Sequence, residues 1–367
     1  MNASGHITSE ICGQVGFITL NRPGALNALS LPMIRDLLAI LLNWQEDDRV
    51  RAVAFRGMGK AGPFGVFCAG GDIRFFHQAV LAGNPELEDF FTEEYTLNHL
   101  IHNYPKPTIA FMDGVVMGGG MGFAQGTNFR LVTERTKMAM PETGIGLFPD
   151  VGGGHFLARC PGALGEWLAL TGETIGSQGA IACGLADTCL ESGQQSALWE
   201  ALGATAIDYP NSLGDLIATY SIANYAVDTW GNGEIDHYFS LESVSAIAHA
   251  LDASNSPWAA QTATRLRQNS PLMLHVTLAQ IRRARGMGLA DELRMERDMI
   301  RHCFNPRHLG RTAASSETTE GIRALAVDKD RNPKWQPEHI EDVTPDMVAP
   351  FFESPWPASA HPLKALD

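Results

Sequence analysis

The chain has 367 residues, enough for one large domain or two of ordinary size, each with an ample core. Apolar residues make up 45% and charged ones 19%, and the net charge of −14 excludes nucleic acid or an anionic membrane as a general partner, since phosphate contacts need a basic face. No apolar run approaches the roughly 18 residues of a membrane span, MNASGHITSE lacks the regions of a signal peptide, and six scattered cysteines without CxxC spacing predict free thiols in a cytoplasmic setting and no metal site.

Residues 11–20 end in an alternating β-type run, and Asn21-Arg22-Pro23-Gly24 turns the chain. Ser30 is placed to cap an amphipathic helix to about Trp44, with Met33, Ile34, Leu37, Leu38 and Leu41 on one stripe. Strands are predicted at 50–55 and 64–68, the latter running into Ala69-Gly70-Gly71-Asp72, and a mixed helix at 86–103. A strand at 107–112 leads to Asp113-Gly114, and Gly118-Gly119-Gly120 opens a further helix. Short strands at 129–132 and 137–140 deliver the chain to Glu142. Repetition of strand, glycine turn and helix predicts an α/β architecture. Beyond it, 164–190 reads as helical with breaks at Gly172 and Gly184, and 191–256 as a helical extension with a linker at 252–257. Helices follow at 272–285, 289–303 and 317–335, the last ending in a charged turn.

Chemistry concentrates in MAMPETGIGLFPDVGGGH, residues 138–155. Glu142 and Asp150 each follow a proline, in a segment with almost no other charge. Acids among apolar residues and glycines are rarely buried without a job or a partner. The plain alternative is a Pro-Glu turn, with Asp150 capping a helix. Two glycine stretches, 69–72 and 116–122, each follow a strand. Such loops let a ligand approach the backbone, and two of their N–H groups converging on one oxygen make an oxyanion hole. Alone they read equally as tight turns or a dinucleotide loop, although GGGMG is not GxGxxG. His99, His155 and Cys68 read as structural.

Taken in order, LNRPGALNALS, FCAGGDIR, MDGVVMGGGMGF and MPETGIGLFPDVGGG form a series that resembles the crotonase (enoyl-CoA hydratase/isomerase) superfamily. FCAGGDIR, the PET-to-FPDVGGG run and EGIRALAVDKDRNPKW resemble in particular the 3-hydroxyisobutyryl-CoA hydrolases within it. The resemblance covers about 11–190 and returns over 270–335. It implies a crotonase-like spiral of repeated ββα units with a helical C-terminal region. The division implied is a spiral core over 1–190 carrying the active site, a helical extension over 191–256, and C-terminal helices over 257–367 packing on the core.

The same resemblance implies that the N–H groups of Gly71 and Gly119 hold the thioester oxygen. Glu142 and Asp150 would carry the chemistry, with Glu94 lining the acyl pocket. Arg22 and a basic residue of the C-terminal helices would lie near the CoA phosphates. Acyl-CoA is then substrate rather than cofactor, no further cofactor or metal is needed, and a second copy of the chain stays open as a partner. One departure discriminates: hydratases carry a second catalytic glutamate where this chain has Gly122, and usually glycine where it has Asp150. Loss of one acid and gain of another favours hydrolysis over hydration. Glu142 would activate water or attack directly, and Asp150 would orient the water or bind a 3-hydroxyl. The expected activity is hydrolysis of a short 3-hydroxyacyl-CoA, as in valine breakdown, against a hydratase or isomerase on the same fold and a non-catalytic CoA-binding protein.

Overall fold

The computed structural model describes residues 4–207, 212–223, 225–227 and 232–367. Contacts divide the chain into two compact units that cut across chain order: Met1–Gly71, Leu97–Ala139 and Thr174–Thr229 form the first, and Asp72–Thr96, Met140–Glu173 and Trp230–Asp367 the second.

The first unit holds every described strand. In chain order these are β1 (Ile7–Cys12), β2 (Val15–Leu20), β3 (Ala52–Gly59), β4 (Gly62–Pro63), β5 (Val66–Cys68), β6 (Thr108–Met112), β7 (Val115–Met117), β8 (Phe129–Thr133), β9 (Lys137–Ala139) and β10 (Thr188–Leu190). They form a seven-stranded sheet, ordered β1-β2-β3-β6-β8-β10 with β4 on β3, and a three-stranded sheet, β5-β7-β9. Only β1 and β4 run antiparallel to their neighbours. Each large-sheet strand β3, β6 and β8 is followed by one strand of the small sheet, which is the ββ half of a repeated unit. Parallel strands buried on both faces read as continuous apolar runs, as in TIAFM of β6, whose five residues are all buried.

The helices are α1 (Leu31–Gln45), α2 (Ile73–Ala82), α3 (Glu86–His102), α4 (Gly119–Gln125), α5 (Gly153–Leu157), α6 (Leu164–Thr171), α7 (Ser177–Ala182), α8 (Gln195–Ala204), α9 (Ser212–Tyr220), α10 (Asn232–Phe239), α11 (Val244–Asp252), α12 (Pro257–Gln268), α13 (Pro271–Ala284), α14 (Leu289–Phe304), α15 (Glu317–Ile322) and α16 (Pro345–Val348). In the first unit, α8 and α9 cover the large sheet. Leu198, Trp199, Leu202, Leu213 and Ile217 join Val15, Phe17, Ala54 and Phe111 in one core, with Trp199 against Phe17 at 4.6 Å between ring centroids. In the second, Phe76 of α2, Phe90 and Phe91 of α3 and Phe304 of α14 form an aromatic cluster, with Phe76–Phe90 at 4.7 Å and Phe91–Phe304 at 5.5 Å.

Several expectations are corrected. Ser30 occupies the N-cap of α1, but its side chain makes no capping bond; Pro32 in the first turn removes a donor instead. Phe64 lies at φ 69 in a turn, so the strand starts at Val66. The helix α2, capped by Asp72 on the Phe75 N–H, was hidden by the glycine loop that precedes it. The predicted helix over 164–190 ends as β10, paired in parallel with β8. Its three residues are too few for periodicity to distinguish strand from helix. The linker at 252–257 is a short turn into α12, capped by Ser256, and the 317–335 helix stops at Ile322 before a π-helical turn, Arg323–Val327.

Candidate active site

The small sheet sets the starting points. Its strands β5, β7 and β9 all run parallel, and each is followed within three residues by a site candidate: Gly71, Gly119 and Glu142 respectively. In α/β folds, ligands gather beyond the carboxyl ends of parallel strands.

In the first unit, the two glycine loops come together. Gly70 lies at φ +105, and a Cβ there would sit 3.3 Å from the Gly119 nitrogen and 3.2 Å from the Met117 carbonyl oxygen. Only glycine permits that approach. A Cβ on Gly120 would lie 2.3 Å from the Cys68 carbonyl oxygen, so the second loop also needs glycine to pass the first. Among the described residues, neither the Gly71 nor the Gly119 N–H donates a hydrogen bond. Gly119 is the first residue of α4, where an N–H has no partner within the helix. With seven residues, α4 offers individual N–H groups more than a dipole.

The LNRPGALNALS motif straps the first loop in place. Leu26 and Asn27 both have positive φ. The Ala69 N–H donates to the Leu26 carbonyl at 3.0 Å, and Leu29 N–H donates to the Gly70 carbonyl at 2.8 Å. The Cys68 thiol lies 3.2 Å from the Asn27 carbonyl, a buried structural contact as expected. Arg22 belongs to this strap: its guanidinium donates to the Ala28 carbonyl at 3.0 Å.

The acids belong to the second unit. Glu142 opens a 3-10 turn, Glu142–Ile145, and is 6% exposed, with Oε2 lacking a partner. Asp150 is equally buried, and its Oδ2 accepts from the Tyr95 hydroxyl at 2.9 Å. It does not cap α5, whose N-cap is Gly152. Glu94, one residue before Tyr95 on α3, is 2% exposed with Oε1 unpaired. Burial pushes the Asp150 carboxyl up to about 7, against the opposing pull of the Tyr95 hydrogen bond. Glu142 is driven well above the usual carboxylate range by burial and then by the charge of Asp150. Glu94 moves the same way through burial, Asp150 and Glu142. Burial thus raises all three acids, and the charge of Asp150 adds to the rise at Glu142 and Glu94, so they titrate as a set. The structure thus brings Glu94, Glu142 and Asp150 near one another within the second unit.

Two groups of residues escaped the sequence. Tyr95, fully buried at 6.2 Å from Phe91, drew no reading from the sequence. Its position directly after Glu94 was the available signal. Arg74, His77 and Lys329 line a cavity of about 270 Å³ with Gln78, Ala326 and Val327. Among the described residues, the side chains of Arg74, His77 and Lys329 make no ion pair or hydrogen bond to protein. The expected basic residue of the C-terminal helices is not identified by this cavity: Lys329 lies just past the Arg323–Val327 turn, outside any helix, and Arg74 and His77 belong to α2, which the sequence did not reveal. Among the described residues, no group of His, Cys, Asp and Glu could hold a metal ion, and no helix is long and apolar enough to cross a membrane.

A family model for enoyl-CoA hydratase/isomerase matches residues 15–352. The chain belongs to that family. It is 39% identical to the mitochondrial 3-hydroxyisobutyryl-CoA hydrolase of Xenopus tropicalis over 93% of this chain and 87% of the relative. It is 36% identical to a probable 3-hydroxyisobutyryl-CoA hydrolase of Arabidopsis thaliana, over 96% of this chain and 93% of the relative. The crotonase-like fold is shared with two solved structures. One, titled a carnitinyl-CoA dehydratase from Mycobacterium thermoresistibile, matches at TM-score 0.86 and 36% identity, covering 96% of this chain and 97% of that one. The other, titled an enoyl-CoA hydratase from Rhodobacter sphaeroides 2.4.1, matches at 0.83 and 34%, covering 95% and 98%.

Proposed function

We propose that the chain hydrolyses the thioester of a short 3-hydroxyacyl-CoA, with 3-hydroxyisobutyryl-CoA the leading substrate. Water adds to the acyl carbon, the carbon–sulfur bond breaks, and 3-hydroxyisobutyrate and CoA leave. The observation that carries this reading is the second buried acid, Asp150, held by Tyr95, in a chain that has no side chain at Gly122. The names of the relatives at 36–39% identity support the same substrate.

The main barrier is charge building on the carbonyl oxygen. The free N–H groups of Gly71 and Gly119 suit that oxygen, and one such donor contributes roughly 3–4 kcal/mol to the transition state. The leaving thiolate needs no obligatory protonation, since a thiol has a pKa of about 8.5. In its ionised form, which burial and Asp150 disfavour in the free site, Glu142 takes a proton from water or attacks the carbonyl to form a mixed anhydride that water then opens. Asp150 orients the water or accepts a hydrogen bond from the 3-hydroxyl, with Glu94 beside it in the acyl pocket. A buried acceptor left unpaired strongly disfavours acyl groups lacking that hydroxyl. Arg74, His77 and Lys329 suit the CoA phosphates, a role also assigned to Arg22, although its guanidinium is already engaged with Ala28. A place in valine degradation follows from this substrate. Six free cysteines suit a reducing compartment; the Xenopus tropicalis relative is named as mitochondrial, and cell fractionation decides between that and the cytoplasm.

The solved structures named as hydratase and dehydratase favour a second reading, addition of water to an enoyl-CoA. One experiment separates the two. Thiol release from a panel including 3-hydroxyisobutyryl-CoA supports hydrolysis; loss of crotonyl-CoA absorbance without thiol release overturns it. Repeated turnover in labelled water places label in Glu142 for the anhydride route, and only in the product acid for general-base catalysis.

A further inference from the structure

The turn that carries Asp150 is strained and is held from outside itself. Val151 sits at φ 60, a conformation that β-branched residues rarely adopt, and Gly152 follows at φ 84. Such a geometry persists only when surrounding groups fix it. Three groups from the C-terminal helices do so, all within the second unit. Glu296 of α14 accepts the Gly152 N–H on Oε2 at 2.8 Å and the Gly154 N–H on Oε1 at 3.2 Å. Gln280 of α13 donates one amide group to the Pro149 carbonyl at 2.8 Å and to Glu296 Oε1 at 3.0 Å. Glu292, one helical turn before Glu296, packs so closely that a Cβ on Gly154 would meet its Oε1 at 2.2 Å.

We propose that Glu296 is a positioning residue for the reaction: its carboxylate, supported by Gln280, clamps both sides of the 149–154 turn and so fixes where the Asp150 carboxyl points. This rests on the hydrolase reading for its kinetic consequences, but not for the clamp itself. Glu292 and Glu296 are both fully buried, and a buried pair of like charges is too costly to persist. Burial and then the neighbouring Glu292 push Glu296 well above the usual carboxylate range, whereas burial and the charge of Asp150 push Glu292 up to about 7 against the pull of its hydrogen bonds with Glu296 and Gln280. The order of those shifts would leave the proton on Glu296, but three N–H donors converge on its carboxylate, and that geometry assigns the anion to Glu296 and the shared proton to Glu292. The charged or titratable groups facing the pair are Asp150 from the turn, Tyr95 from α3 and Arg159 beyond α5. The triple glycine thereby gains a reason beyond the turn. Gly152 provides the left-handed residue, and Gly154 leaves room for the carboxyl pair.

The test compares Glu296→Gln with Glu292→Gln in the full chain. Glu296→Gln turns an acceptor into a donor facing an N–H. A misplacement of about 1 Å costs on the order of 100-fold, so kcat for thiol release is expected to fall by about that factor with little change in KM. It also removes a negative charge near Asp150, so the acid limb of the pH profile moves to lower pH, which loss of packing alone would not do. Glu292→Gln imitates the protonated partner and keeps most of the activity. Amide hydrogen exchange supplies a readout free of substrate: Gly152 and Gly154 exchange faster in Glu296→Gln, while the α13 and α14 amides keep their protection. Full protection at both glycines overturns the clamp. Exposed glycine amides with unchanged kcat and pH profile overturn the positioning role. A wild-type chain that releases no thiol sinks the hydrolase reading while the exchange result still decides the clamp. Equal damage from Glu292→Gln overturns the assignment of the anion to Glu296.

Discussion

The two units contribute opposite kinds of chemistry. The first offers mainly backbone: two glycine loops, a strap and free N–H groups, with Arg22 its one ionisable site candidate. The second offers buried acids, Glu94, Glu142 and Asp150, of which Asp150 accepts from Tyr95 and sits on a turn bonded to Glu296 of α14. A donor built from main chain keeps its polarity at any working pH and costs nothing to bury until it is left unpaired. A donor or base built from carboxyls changes character with pH and needs a surrounding structure to be tolerated. In the proposed reaction, main-chain N–H groups polarise the substrate and carboxyls move the protons.

The sharpest break of this comparison removes the base. Glu142→Gln should lower kcat for thiol release from 3-hydroxyisobutyryl-CoA by roughly 10²- to 10⁴-fold, and undiminished turnover removes Glu142 from the mechanism. Next comes the backbone half. Gly119 is the first residue of α4, a position that tolerates proline, so Gly119→Pro deletes the N–H with the helix retained. A loss of roughly 10²- to 10³-fold is expected, without movement of the acid limb; a shifted limb would mean the two halves are not chemically separate. Tyr95→Phe sharpens the acid half. The hydroxyl favours the ionised form of Asp150, which stands at about 7. Removing it raises that value, so activity falls at a higher pH than in wild type. A hydrogen bond to a charged group is worth about 1.5–3 kcal/mol, so the loss at neutral pH is on the order of tenfold or more. An acid limb that stays in place argues against Asp150 as the titrating group. The smallest effect is expected at the cationic cavity. Lys329→Ala should raise KM several-fold with kcat preserved, and the difference should shrink as salt screens the phosphates. A salt-independent KM would place the CoA phosphates elsewhere.

Much of the candidate site was legible because its motifs impose local requirements. FCAGGD and MGGGMG need glycine for close approach, and PET and FPD place acids at fixed distances after a strand and a proline. Tyr95 and the α14 pair were illegible for a different reason. An aromatic residue on an amphipathic helix reads as core, and acids at 292 and 296 read as a solvated face, since four-residue spacing suits either. Nothing local distinguishes a buried Glu296 from an exposed one; only the turn it caps does so, and that turn lies more than 140 residues away.

The sequence by itself determined the α/β repeat, the glycine loops and the acids Glu142 and Asp150. Each is specified by backbone conformation or by residue order along a few neighbouring positions. Tertiary structure decided which acids are buried together, which hydroxyl holds Asp150, and which helices clamp its turn. It also converted the end of a predicted helix into β10. The physical reason is common to these cases: burial and hydrogen-bond pairing between distant segments set charge state and strand pairing, and a linear pattern carries neither.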